Sequence, residues 1–174
     1  MNHARRVLLS LGLFLWASRL NGGEIMLSDE PVEYGVGDWP EGERGNHRAR
    51  VRVEAAADAV VARIPWRRRD AHPEKKNVVV VDVATGEAIE NVARLEVARE
   101  AGVIAFQPRT VPGECHVYYM PCKIVGAWYH PSTEYEQPKE TADPTWLERN
   151  GLSGDALKTG KWRETLPKAK LIDI

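Results

Sequence analysis

The central hundred residues read as a succession of strands. Between Asn46 and Glu54 apolar and polar positions alternate strictly, with His47, Ala49, Val51 and Val53 on one side and Arg48, Arg50, Arg52 and Glu54 on the other. A period of two puts one set against a core and the other in water. Ala59–Trp66 is a second run, stopped by Pro65 and the arginines that follow. Asn77–Val83 is β-branched almost throughout, as in a central strand, and Ala84-Thr85-Gly86-Glu87 supplies a turn. Val92–Ala98 and Val103–Gln107 flank a short glycine-containing loop and form a hairpin. Pro112-Gly113 turns the chain into Glu114–Met120, where Tyr118 and Tyr119 point to opposite faces. Strands at this spacing, with no long amphipathic helix between them, predict an all-β fold. The expected architecture is an antiparallel, immunoglobulin-like β-sandwich over residues 24–140.

The pattern changes after residue 140. Asp143-Pro144-Thr145-Trp146-Leu147-Glu148-Arg149 reads as a short helix, with Asp143 as N-cap, Pro144 at N1 and Gly151 just past its end. Leu152–Ile174 is polar and weakly periodic. Residues 141–174 are therefore expected to be a short helix and a linker or tail.

The first residues add a compartment. Arg5 and Arg6 precede an apolar run of ten residues, Val7–Trp16, too short to span a bilayer. Residues 1–23 are expected to be a signal peptide, making the mature chain secreted or periplasmic, with no membrane attachment after cleavage. Cleavage removes three arginines and no acid from 24 basic and 25 acidic residues, leaving a net charge of −4. That balance argues against nucleic acid as a partner, because phosphate binding needs positive charge. The charge is unevenly placed. Residues 24–43 hold seven acids and no base, whereas residues 44–76 hold ten bases and four acids, as at an interaction face.

Motifs for catalysis are lacking. The five histidines are scattered, no C-x-x-C or H-E-x-x-H occurs, and no metal or cofactor is expected. There is no G-x-S-x-G and no glycine-rich phosphate loop. Cys115 and Cys122 lie about 23 Å apart along a straight strand, beyond disulfide reach unless the chain turns sharply at Pro121. Two free thiols are expected. Two constellations stand out as binding or docking candidates. In the first, Trp66 adjoins Arg67, Arg68 and Arg69, an aromatic beside three guanidinium groups that suits a sugar ring with an acidic substituent, a docking partner or a charge-guarded strand edge. In the second, Trp128 and Tyr129 stand in a loop rich in glycine and proline, where they could form an exposed aromatic platform.

Several segments carry a resemblance. Gly45-Asn46-His47-Arg48-Ala49, Ile64-Pro65-Trp66-Arg67-Arg68-Arg69-Asp70, Pro73-Glu74-Lys75, Val81-Asp82 with Thr85-Gly86, Phe106-Gln107-Pro108, Pro112-Gly113-Glu114, Tyr118-Tyr119-Met120-Pro121, and Ala142-Asp143-Pro144 with Trp146-Leu147 occur in the order found in glycoside hydrolase family 123-like proteins. The chain resembles the N-terminal domain of those proteins over roughly residues 44–170. The resemblance implies a β-sandwich preceding a (β/α)-type barrel. That barrel carries the acid pair of a β-N-acetylgalactosaminidase whose substrate supplies its own acetamido nucleophile. Such a barrel takes about 250 residues, so none of the acid pair falls on this sequence. Cys115 and Cys122 stand where the family's aromatics are expected. The expectation is a non-catalytic accessory domain on a truncated or fragmentary chain, its partner a catalytic barrel. The alternative is a stand-alone secreted carbohydrate-binding module whose partner is a glycan.

Overall fold

Each predicted strand of the central region forms. In a computed structural model that describes residues 31–39 and 44–174, β1 (Arg48–Val53), β2 (Val60–Pro65), β3 (Val78–Asp82), β4 (Val92–Val97), β5 (Ala101–Phe106) and β6 (Gly113–Tyr119) lie within or beside the expected runs. The expected signal peptide falls outside the described residues.

The strands build two antiparallel sheets. One has the order β3-β6-β1, continued by β9 (Lys170–Asp173), and the other has the order β2-β5-β4. The pairings 2-5-4 and 3-6 are those of an immunoglobulin sandwich. The place beside the sixth strand, which the seventh occupies there, is held here by β1, in antiparallel register from Arg48↔Tyr118 to Val53↔Gly113. Period-two alternation then sorts β1. Ala49, Val51 and Val53 are buried between the sheets, while Arg48, Arg50 and Arg52 lie on the outer face. On that face Arg50 bridges three strands, donating to Asp173 at 2.9 Å and to Glu114 at 3.0 Å.

Between the sheets, Val51, Val60, Ile64, Val80, Ile104, Phe106, Val117 and Tyr119 make a dry core. Among the described residues Asn77 and Asp82 are polar yet buried, Asp82 completely. Its carboxylate accepts from the backbone N–H of Ala84, Thr85 and Thr110 and from the Thr110 hydroxyl, closing the turn after β3 onto the loop before β6.

The expected boundary at residue 140 is corrected. Beyond it lie α1 (Pro144–Arg149), α2 (Gly154–Thr159), α3 (Trp162–Thr165) and then β9. The first helix is capped as the sequence requires, with Asp143 Oδ1 accepting from the Trp146 N–H at 2.9 Å. The rest is not a linker. Ala59, Val61, Ala93 and Ala105 leave a shallow surface on the outer face of β2-β5-β4, into which Trp146, Leu152 and Trp162 are buried. Small residues on the sheet let the indole rings approach it, so this sheet is covered on both sides. Asp58 fixes the layer by accepting from both Nε and Nη2 of Arg149, from Asn150 and from Gln107. Residues 167–169 then hydrogen-bond to Val61 in the helix-covered sheet, and β9 crosses to pair with β1 in the other. Ile174 ends buried in the core. The chain from Val32 to Ile174 is one compact unit.

Candidate functional site

The registers bring five strand ends together. The start of β1 meets the end of β6 at Arg48↔Tyr118, and the start of β3 meets it at Val78↔Tyr119. The end of β9 lies beside β1 at Arg50↔Asp173, and Trp66, just past β2, stacks on Tyr119 with ring centroids 4.7 Å apart. One end of the sandwich therefore carries the arginine cluster and Ile174.

Trp66 separates from the other candidates here. It is 8 % exposed, and its Nε1–H donates to the Ala98 carbonyl at 2.9 Å. It has no open face for a sugar; it anchors the strand from which the arginines project. A Cβ on Gly102 would lie 2.2 Å from the Trp66 ring. Gly102→Ala is accordingly expected to overpack the site and cost about 1–3 kcal/mol, visible as a lower midpoint in thermal or urea unfolding.

Arg67, Arg68 and Arg69 are exposed. The Arg67 N–H donates to the Tyr119 hydroxyl at 3.2 Å. Its Nη1 donates to the Gly35 carbonyl at 3.3 Å, and its guanidinium lies 5.6 Å from the Tyr34 ring centre. Among the described residues none of the three has an ion pair, because the neighbouring Asp70 is engaged by Lys76 and by the His72 N–H. Residues 33–35 form a strap along β9: Gly35 N–H donates to Ile174 O, and Ile174 N–H donates to Glu33 O. Arg48 lies 4.3 Å from the Trp39 ring centre. Gly35, Gly37, His47, Arg48, Arg67 and Asp173 surround a depression of about 80 Å³, well below the ~300–1,000 Å³ of sites that enclose a drug-sized ligand.

The loop expected to hold Trp128 and Tyr129 is the tip of a hairpin, β7 (Cys122–Val125) with β8 (Ser132–Tyr135). Its base is tied in by Asn77 N–H to Glu136 O, by Glu136 N–H to Pro121 O, and by Lys76 over the Tyr135 ring. At the tip, Gly126 takes a φ of 94° while His130 N–H donates to Ala127 O. Trp128 is 91 % exposed and Tyr129 63 %, and the two rings meet edge to face at 5.5 Å. Ile124 on β7 adds further exposed apolar surface.

Burial shifts three titratable groups on or beside β1 and β6. Burial, then the fields of Arg68 and Arg67, lowers the His47 pKa. Burial, helped by Arg48 and Arg50, brings His116 down to about 4. The Cys115 thiol is pushed up to about 12, by burial first and by Asp82 second. Cys115 lies in β6 and Cys122 opens β7 after a turn at Met120-Pro121, and the two form no disulfide. Among the described residues no His, Cys, Asp and Glu gather in a group that could hold a metal ion. What the end of the sandwich offers is recognition chemistry: guanidinium groups and exposed rings. Tyr34, Trp39, Arg48 and Ile124 belong to this surface and were not singled out from sequence. In the sequence Arg48 reads as one of several wet-face residues, and its pairing with Trp39 depends on chain path.

No curated protein and no solved structure matches the chain. A family model described as "Glycoside hydrolase 123, N-terminal domain" matches residues 37–174, which is most of the chain and nearly all of the compact unit. The chain belongs to the family of glycoside hydrolase 123 N-terminal domains.

Proposed function

We propose that this domain is a non-catalytic accessory module of an exported glycoside hydrolase 123 enzyme, and that its basic, aromatic end docks the catalytic domain. The observation that carries the reading is convergence. Arg67, Arg68 and Arg69, the Trp128–Tyr129 hairpin and the end of the last strand all belong to one end of the sandwich. Trp, Tyr and Arg are the residue types that dominate protein interfaces.

The test mixes this chain with a separately produced catalytic domain of the family and maps amide-exchange protection. Protection is expected at residues 67–69 and 126–130, and Trp128→Ala is expected to weaken binding by at least about 2 kcal/mol, the cost of a hot-spot truncation. Protection confined to the helix-covered face would overturn the docking assignment. A second reading, a stand-alone carbohydrate-binding module, is favoured by the exposure of Trp128 and Tyr129. Glycan binding by the isolated chain that vanishes in Trp128→Ala, with no binding to the catalytic domain, would select it.

A further inference from the structure

We propose that the depression between Arg48 and Arg67 is an oxyanion site that takes the sulfate ester or carboxylate of an acidic sugar. The proposal goes beyond the docking reading and does not rest on it.

Three observations support it. The first is unspent donor capacity. Arg48 faces the Trp39 ring, Arg67 spends one N–H on the Gly35 carbonyl, and neither has a carboxylate partner among the described residues. Each guanidinium carries five N–H donors in a fork that matches a carboxylate or sulfate. Asp173 also lines the depression, but its Oδ2 is committed to Arg50 at 2.9 Å. The second is field. The lowered pKa of His47 follows from burial and then from Arg68 and Arg67, so a positive potential reaches a ring that lines the same depression. The third is size. About 80 Å³ is room for several waters, each needing roughly 10–15 Å³ on that scale, and so for one oxyanion group, but not for an enclosed sugar. The rest of the ring would stay outside, where Tyr34, 67 % exposed, offers an aromatic surface next to Arg67. A recessed charge site with an aromatic lip fits a sugar bearing one acidic substituent.

The test is amide NMR on the whole chain, titrated at constant ionic strength with sodium sulfate, glucuronate, glucose 6-sulfate and, as the neutral comparison, glucose. Saturable shifts are expected at Gly35, Gly37 and Asn46–Arg48 with the three anions and not with glucose. Arg48→Gln and Arg67→Gln are each expected to weaken binding about tenfold, the effect of removing a charge-assisted pair of hydrogen bonds. Lys158→Gln, on α2 and outside the depression, should leave it unchanged. Because Arg67 also holds the strap, Arg48→Gln with an otherwise native spectrum is the deciding variant. Shifts that grow linearly with salt, or that persist in Arg48→Gln, overturn the site. Saturation by sulfate with no response to either acidic sugar overturns the assignment to a glycan.

Discussion

Trp146→Ala is expected to lower the free energy of unfolding by about 3–5 kcal/mol. Trp146 is 1 % exposed and sits at the centre of the cluster between the helical layer and the β2-β5-β4 sheet. Its Nε1–H donates to the Asp58 carbonyl at 2.8 Å, and that bond is lost together with the packed ring. The fully buried residues of the sheet beneath are alanine and valine, which cannot extend to refill the space, so a cavity remains. A loss of this size consumes much of the roughly 5–15 kcal/mol that stabilises a typical domain. Equilibrium urea unfolding reads it directly, as a fall in midpoint at unchanged slope. A shift under about 1 kcal/mol would show that residues 141–174 are an appendage after all.

Asp82→Ala carries the second large effect, about 3–4 kcal/mol. The substitution leaves the N–H groups of Ala84, Thr85 and Thr110 without their acceptor at a buried position, and each such donor costs about 1–3 kcal/mol if nothing replaces the bond. Asp82→Asn is not a neutral replacement. The carboxylate accepts on both oxygens, so an amide nitrogen would face either the Thr110 N–H or the two turn amides. Burial alone raises the Asp82 pKa, but the hydrogen bonds from Thr85, Thr110 and Ala84 outweigh it, and the carboxyl titrates below its ordinary range. The sign of the pH dependence follows. Between the folded and unfolded pKa values the unfolded chain binds more protons, so stability rises with pH there. The contribution is complete above the ordinary aspartate range, near pH 4, and is lost as pH falls through the folded value. Unfolding free energies of the native chain and Asp82→Ala, compared across that acidic window, should converge as pH decreases.

Much of this fold was legible in the sequence because period-two alternation is a local signal. Val51 and Arg52 already sit on opposite faces in the written chain, and the Asp143-Pro144 cap marks its helix without any knowledge of the partner sheet. The features that escaped depend on partners far away in sequence. β9 is four residues long, and Lys170-Leu171-Ile172-Asp173 becomes a strand because β1 waits for it. Helices of six and four residues fall below any useful window of helical periodicity. The hairpin reads as a loop in the sequence because Gly126 and Pro131 punctuate it and Ser132-Thr133-Glu134 hides its apolar face. Trp66 is the instructive case. Its arginine neighbours suggested exposure, yet Val60, Ala62, Ile64 and Trp66 share one parity and all four are buried. Extending the alternation one step past Pro65 places it in the core.

In the proposed role, this domain supports a glycoside hydrolase without performing its chemistry. The most direct measurement is release of the aryl group from an aryl β-N-acetylgalactosaminide by the purified chain, followed through successive chromatographic steps. Release no faster than in buffer alone is expected. Turnover that stays proportional to the chain through every step would contradict it.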